Sequence, residues 1–262
     1  MPRALTSLDP PVAHLTSPAP PAAPCAEGMV LAGAFCIDRY EAQLVHSDGS
    51  GVHPANQPLA SGVRYRAESR AGVLPQGYIS RDEASAACQA AGKRLCKARE
   101  WQAACKGSAG YKYPYGRDEV KGRCNNGKLH LPSQFFGPLV TRYGEQHLND
   151  PRLNLQPGFL AKTGEYAECT SDQGTFDMVG NLHEWVADDV NGALPKKIPI
   201  PYGVEHMGAR GNGAFMGGYF SSHREHGRGC EYVTTHHAPG YHDYSIGFRC
   251  CSDPADAAKQ PR

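Results

Sequence analysis

The chain has 262 residues, and a hydrophobic content of 40% is enough to bury a core. Its 27 basic and 26 acidic residues leave a formal charge of +1, which supplies no field for nucleic acid or an anionic membrane. The longest apolar stretch, Met29 to Ile37, falls far short of the roughly 20 residues that cross a bilayer, so no transmembrane segment is expected.

Residues 1–24, rich in proline and alanine and lacking an apolar signal-peptide core, read as a disordered tail. Residues 25–252 read as one folded domain, and residues 253–262 as a flexible tail. The ten cysteines show no CxxC spacing, so they read as disulfides rather than as a zinc site. Disulfides imply an oxidising compartment. The expected location is therefore extracytoplasmic (periplasmic, lipoprotein or secreted), with the signal sequence absent from this chain; a reduced protein with ten buried thiols is the alternative.

In "ISRDEASAACQAAGKRLC", Ser80 and Glu83 form a capping box and Gly92 stands where a terminal glycine would stop a helix. A second helix is predicted in "KAREWQAACKG", with Ala98, Trp101 and Cys105 on one face. From Tyr111 to Gly247, glycine, proline and asparagine recur too often for long helices. Short strands are predicted at "AFCIDRYEA", "NLHEWVADD", "AFMGGYF" and "IGFRCC", giving a loop-rich α+β domain. "GARGNGAFMGGY" opens no helix and reads as tight turns rather than a phosphate cradle.

"FDMVGNLHEW" has no single period, yet it carries Asp177, Asn181, His183 and Glu184 within eight positions. Asp177 and Glu184 offer hard carboxylate oxygens, and Gly180 lets the backbone bend so that carbonyls can join them, as calcium requires. The bland reading gives Glu184 an arginine partner and makes Asp177 a turn cap.

The ordered set "FCIDRYEA", "GKRLCKAREWQAAC", "YPYG" with "CNNG", "DMVGNLHEW", "MGGYF" and "GFRCC" resembles the formylglycine-generating enzyme family, also called the sulfatase-modifying factor domain, over nearly all of residues 25–251. The resemblance implies a single C-type-lectin-like α+β domain with little regular secondary structure. It also implies a calcium loop with the side chains of Asp177 and Glu184 and the carbonyls of Gly180 and Leu182 as ligands. A second calcium site would fall at Asn125 and the Asn126 carbonyl, helped by Asp150.

Copper oxidases of that family use two cysteines just after a "GGS" strand. The corresponding stretch here is "MGGYFSSHREHGRGC", with Ser222 in the place of the first thiol and Gly227, or His226 with a small shift, in the place of the second. Thiolates are what select copper(I), so copper-thiolate oxidation is not expected. Seven of the twelve histidines lie between 183 and 242: His183, His206, His223, His226, His236, His237 and His242. Imidazole suits iron or copper, and His236, His237 and His242 are candidate ligands. Ser222 with His223 or His226 as base is a candidate nucleophile, although no GxSxG elbow surrounds it. Arg224 and Arg249 are expected to pair with buried carboxylates such as Asp38 or Glu100.

Two functions follow. One is a calcium-stabilised scaffold whose His-rich C-terminal loops form a groove for a peptide, protein, glycan or other ligand. The alternative is an iron- or copper-dependent oxidoreductase, His-ligated, that modifies a peptide or small metabolite. For the cysteines, Cys250 and Cys251 are adjacent on a strand, so they should face opposite ways and take different partners. The resemblance implies Cys88 with Cys250 and Cys105 with Cys230; Cys96 is then the natural partner of Cys251, Cys25 and Cys36 close the N-terminal hairpin, and Cys124 is left with Cys169.

Overall fold

The computed structural model describes residues 24–138, 143–222 and 226–255. The predicted tails thus lie almost wholly outside the described residues, as do His223 and Arg224.

Strands β1 (Met29–Ala32) and β2 (Phe35–Asp38) form a hairpin, and β3 (Ala42–His46) pairs antiparallel with β4 (Tyr65–Ser69). Helix α1 (Arg81–Ala90) follows, with the expected reciprocal capping of Ser80 and Glu83. After β5 (Arg94–Leu95) comes α2 (Ala98–Lys106), which buries Ala98, Trp101, Ala104 and Cys105. Two short helices, α3 (Leu131–Phe136) and α4 (Glu145–Leu148), lead through loops to β6 (His183–Asp189). Then come α5 (Leu194–Lys197), β7 (Gly213–Met216), β8 (Val233–His237), β9 (Ile246–Phe248) and β10 (Cys250–Ser252).

Among the described residues the strands form sheets ordered β1-β2-β10-β5, β3-β4 and β8-β7-β6-β9, with β6 and β9 parallel. The loop-rich α+β organisation expected of a C-type-lectin-like domain is thus present. Two predicted strands are broken by inward charges. "AFCIDRYEA" splits between β2 and β3, where Glu41 turns into the core, and "IGFRCC" splits at fully buried Arg249, where the chain passes from one sheet to another. "AFMGGYF" ends as a strand at Met216 because Gly217 and Gly218 have φ of 85° and 74°.

All ten cysteines are paired, as Cys25–Cys36, Cys88–Cys250, Cys96–Cys251, Cys105–Cys230 and Cys124–Cys169. The adjacent Cys250 and Cys251 do face opposite ways: one fastens α1 and the other the residue after β5.

Candidate functional site

The segment from Asp177 to Leu182 threads the interior in a left-handed path, with φ of 58°, 83° and 57° at Asp177, Gly180 and Asn181. Gly180 is required there: a Cβ would stand 2.2 Å from the Asn125 carbonyl oxygen. Asn181 staples three stretches together. Its N–H donates to Asn125 O, its Oδ1 accepts from Ala161 N–H and Asn125 Nδ2, and its Nδ2 donates to Glu41 Oε2.

Three buried carboxylates surround this segment. Glu184 accepts from Arg249 through both oxygens, at 2.6 and 2.7 Å, and from Trp101 Nε1 at 2.7 Å. Glu41 accepts from Asn181 and from Leu182 N–H, and Asp177 accepts from Gly164 N–H at 2.7 Å. Burial, reinforced by Asp177 and Glu184, raises the Glu41 pKa well above the carboxylate range, while burial lifts Asp177 to about 6. The expected partners of Arg249 are therefore corrected. Glu184 is its carboxylate, Asp38 gives it only a carbonyl and pairs with Lys93, and Glu100 pairs with Arg94. The reason is depth: Arg249 lies inside the sheet junction, whereas Lys93 and Arg94 approach their partners from the surface side.

For calcium, the charge would fit with all three carboxylates ionised: Glu41, Asp177 and Glu184 then share one guanidinium, and a divalent cation would offset the repulsion that, with burial, raises Glu41 and Asp177. The side-chain set fits less well, because Glu184 is already held by Arg249 and Trp101. Among the described residues no three His, Cys, Asp or Glu side chains are placed to hold a metal ion. An ion here would rest on Asp177, Glu41 and main-chain carbonyls such as those of Gly180 and Leu182.

At the second expected calcium site, Asn125 Oδ1 is buried without a hydrogen-bond partner among the described residues. Asp150 is engaged by Arg152, and the Asn125 amide NH2 points at the Phe159 carbonyl.

A cleft of about 380 Å³ opens on the other side of β6 to β8. The register sets Phe215 opposite Thr234 and Trp185 opposite Phe215, and His183 lies two residues before Trp185, so His183, Phe215 and Thr234 share one sheet face. Tyr219, Ser222, His226 and Tyr232 come from the loops joining β7 to β8, and Asp243, Tyr244 and Ser245 from the approach to β9. His183 is 6% exposed and Thr234 5%, and His183 Nδ1 and Thr234 Oγ1 have no hydrogen-bond partner among the described residues. Burial, and then the neighbouring His226 and His237, hold the His183 pKa well below its usual value, so this imidazole is neutral.

The other predicted site residues disperse. His237 reaches the cleft and stacks on Tyr241, whereas His236 turns away to the His206 carbonyl and His242 bonds Asn149. Adjacent residues of β8 must face opposite ways, which separates His236 from His237. Ser222 Oγ accepts the Tyr219 N–H, and no histidine of the described residues hydrogen-bonds to it. His226 lines the cleft, while His223 lies outside the described residues. His183, Thr234 and Glu41 were the omissions from the predicted site; strand alternation from Trp185 was the available signal for His183.

The fold and this cleft define a lectin-like domain of the formylglycine-generating type. Residues 32–254 match the sulfatase-modifying factor enzyme 1-like domain, and the chain belongs to that family. The formylglycine-generating enzyme of Streptomyces coelicolor is 25% identical over 186 residues, which cover 68% of this chain and 52% of the relative. The chain thus spans about half the length of that curated relative. Among solved structures, PvdO from Pseudomonas aeruginosa is similar with a TM-score of 0.49 and 18% identity, covering 84% of this chain and 80% of PvdO. Treponema denticola variable protein 1 is similar with a TM-score of 0.47 and 14% identity, covering 86% and 98%.

Proposed function

We propose that this protein is a ligand-binding member of its family that has given up copper-thiolate oxidation, and that the cleft over β6 to β8 takes a peptide, glycan or small molecule. One observation carries the reading: the cleft holds buried polar atoms of His183 and Thr234 that have no hydrogen-bond partner among the described residues, between aromatic walls, while every cysteine is tied in a disulfide. Concave sites with an apolar lining and a few convergent polar groups are the usual form of a ligand site. The test is a screen of a linear peptide library and a glycan array with the native protein and with Ser222→Trp, which fills the cleft. Binding that disappears in the variant supports the reading, and equal binding by both overturns it.

Calcium belongs to the same proposal, as the ion that would let Glu41 and Asp177 ionise and would fix the segment beneath the cleft. Chelation should lower the melting temperature of the native protein; superimposable calorimetric traces with and without chelator would remove the ion. The five disulfides support an extracytoplasmic location.

A second reading, a His-ligated iron or copper oxidoreductase, would draw on His183, His226 and His237, which line the cleft without being placed to hold a metal ion together. Elemental analysis separates the two: stoichiometric iron or copper would favour the enzyme, and calcium alone the binding module.

A further inference from the structure

Lys128 lies three residues after Asn125, in the stretch where the second calcium was expected. Its Nζ donates to the carbonyls of Gly158 and Phe159 at 2.5 and 2.9 Å and lies 5.8 Å from the centre of the Tyr166 ring. Asn125 Nδ2 donates to the same Phe159 carbonyl at 2.8 Å, so a cation and an amide converge on one turn. The main chain of this segment is fixed to the rim of the cleft, with Lys128 N–H donating to Phe220 O and Gly127 N–H to Ser222 O.

One feature favours a metal here: Asn125 Oδ1 is buried without a hydrogen-bond partner among the described residues. Two weigh against it. Asp150, the carboxylate expected to complete the site, is turned to Arg152. The Phe159 carbonyl beside Asn125 already faces an ammonium group, which would repel a divalent ion placed there.

We propose that the Lys128 ammonium is the protein's own cation at this position, and that it clamps the turn at Gly158 and Phe159 to the cleft rim without calcium. Charge-assisted hydrogen bonds to carbonyls are stronger than neutral ones, and the main chain of Lys128 is anchored by its N–H to Phe220 O. The proposal is independent of what fills the cleft and of whether calcium binds near Asp177.

Isothermal titration of calcium into chelator-stripped protein, with hydrogen exchange of residues 156–162, tests it. The native protein should bind no more than one equivalent, and exchange in residues 156–162 should be the same with calcium and with EDTA. Lys128→Met should melt about 3 °C or more below the native protein, with Lys128→Arg in between and the calcium stoichiometry unchanged. A second equivalent bound by the native protein, loss of protection in residues 156–162 on chelation, or native melting of Lys128→Met would each overturn the assignment. If Lys128→Met does not fold, the native exchange measurement alone decides. Loss of the single calcium near Asp177 would count against that ion and leave the Lys128 clamp standing.

Discussion

Arg249 grips Glu184 through two hydrogen bonds, Nε to Oε2 at 2.6 Å and Nη2 to Oε1 at 2.7 Å, with side-chain exposures of 0% and 1%. The same guanidinium donates to the carbonyls of Asp38 and Phe176, so it joins the N-terminal hairpin, the loop before β6 and the central sheet at the point where the chain changes sheets. Removing one partner leaves the other charge buried without its match, which costs far more than the net worth of the pair. Arg249→Met should destabilise the protein by about 3–5 kcal/mol in urea unfolding. The double variant Arg249→Met with Glu184→Gln should recover part of that loss, and strict additivity would show that the two residues do not act as a pair.

The neutral state of His183 has a pH signature. Its folded pKa is depressed, so the unfolded chain takes up a proton that the folded cleft refuses. Its contribution to stability is present above the unfolded value of about 6.5 and is lost as the pH falls through it, with a slope of up to about 1.36 kcal/mol per pH unit. His53 and His130 are also depressed by burial and add slope of the same sign. Urea midpoints between pH 7.5 and 5.5 should therefore fall less steeply in His183→Gln than in the native protein. Equal slopes would mean that the imidazole is protonated inside the fold.

Gly180→Ala should be severe for a substitution of one methyl group. The position has φ of 83°, and a methyl group would meet the Asn125 carbonyl carbon as well as its oxygen, a main-chain group fixed by Asn181 N–H. A loss of at least about 2 kcal/mol is expected, against a fraction of that for Ala at Gly192, where φ is ordinary and nothing lies within reach.

The disulfides should not be equivalent. Cys96–Cys251 closes 155 residues and Cys25–Cys36 only 11. By chain entropy, breaking the first with paired serines should cost about 4–5 kcal/mol and the second about 3 kcal/mol. Non-reducing peptide mapping checks the pairing, and denaturant midpoints check the ranking.

Copper loading should not produce formylglycine. With every cysteine bridged, and with the family resemblance putting Ser222 and Gly227, or His226, where the thiols would stand, a sulfatase-type peptide should keep its cysteine through incubation. Mass spectrometry that detected an aldehyde in its place would overturn this reading of the cleft.

Local features of the fold were legible because neighbouring residues alone determine them. Ser80 and Glu83 set the start of α1, Gly92 follows its end, and the adjacency of Cys250 and Cys251 forced separate partners. The candidate site was legible as a neighbourhood but not as a constellation. Glu184 finds Arg249 across 65 residues, and Glu41 meets Asn181 across 140, pairings that no spacing rule connects. The histidine cluster "TTHH" looked like a ligand set, yet strand alternation sends His236 outward and His237 inward, while His183 enters from a strand read for its carboxylate.

Cys250 and Cys251 fasten α1 and the residue after β5 to positions synthesised 162 and 155 residues later. The helix and the strand therefore cannot be locked by these bonds until Cys250 and Cys251 have been synthesised. A prematurely terminated product ending before Cys250 lacks both late rivets and exposes Cys88 and Cys96 as thiols.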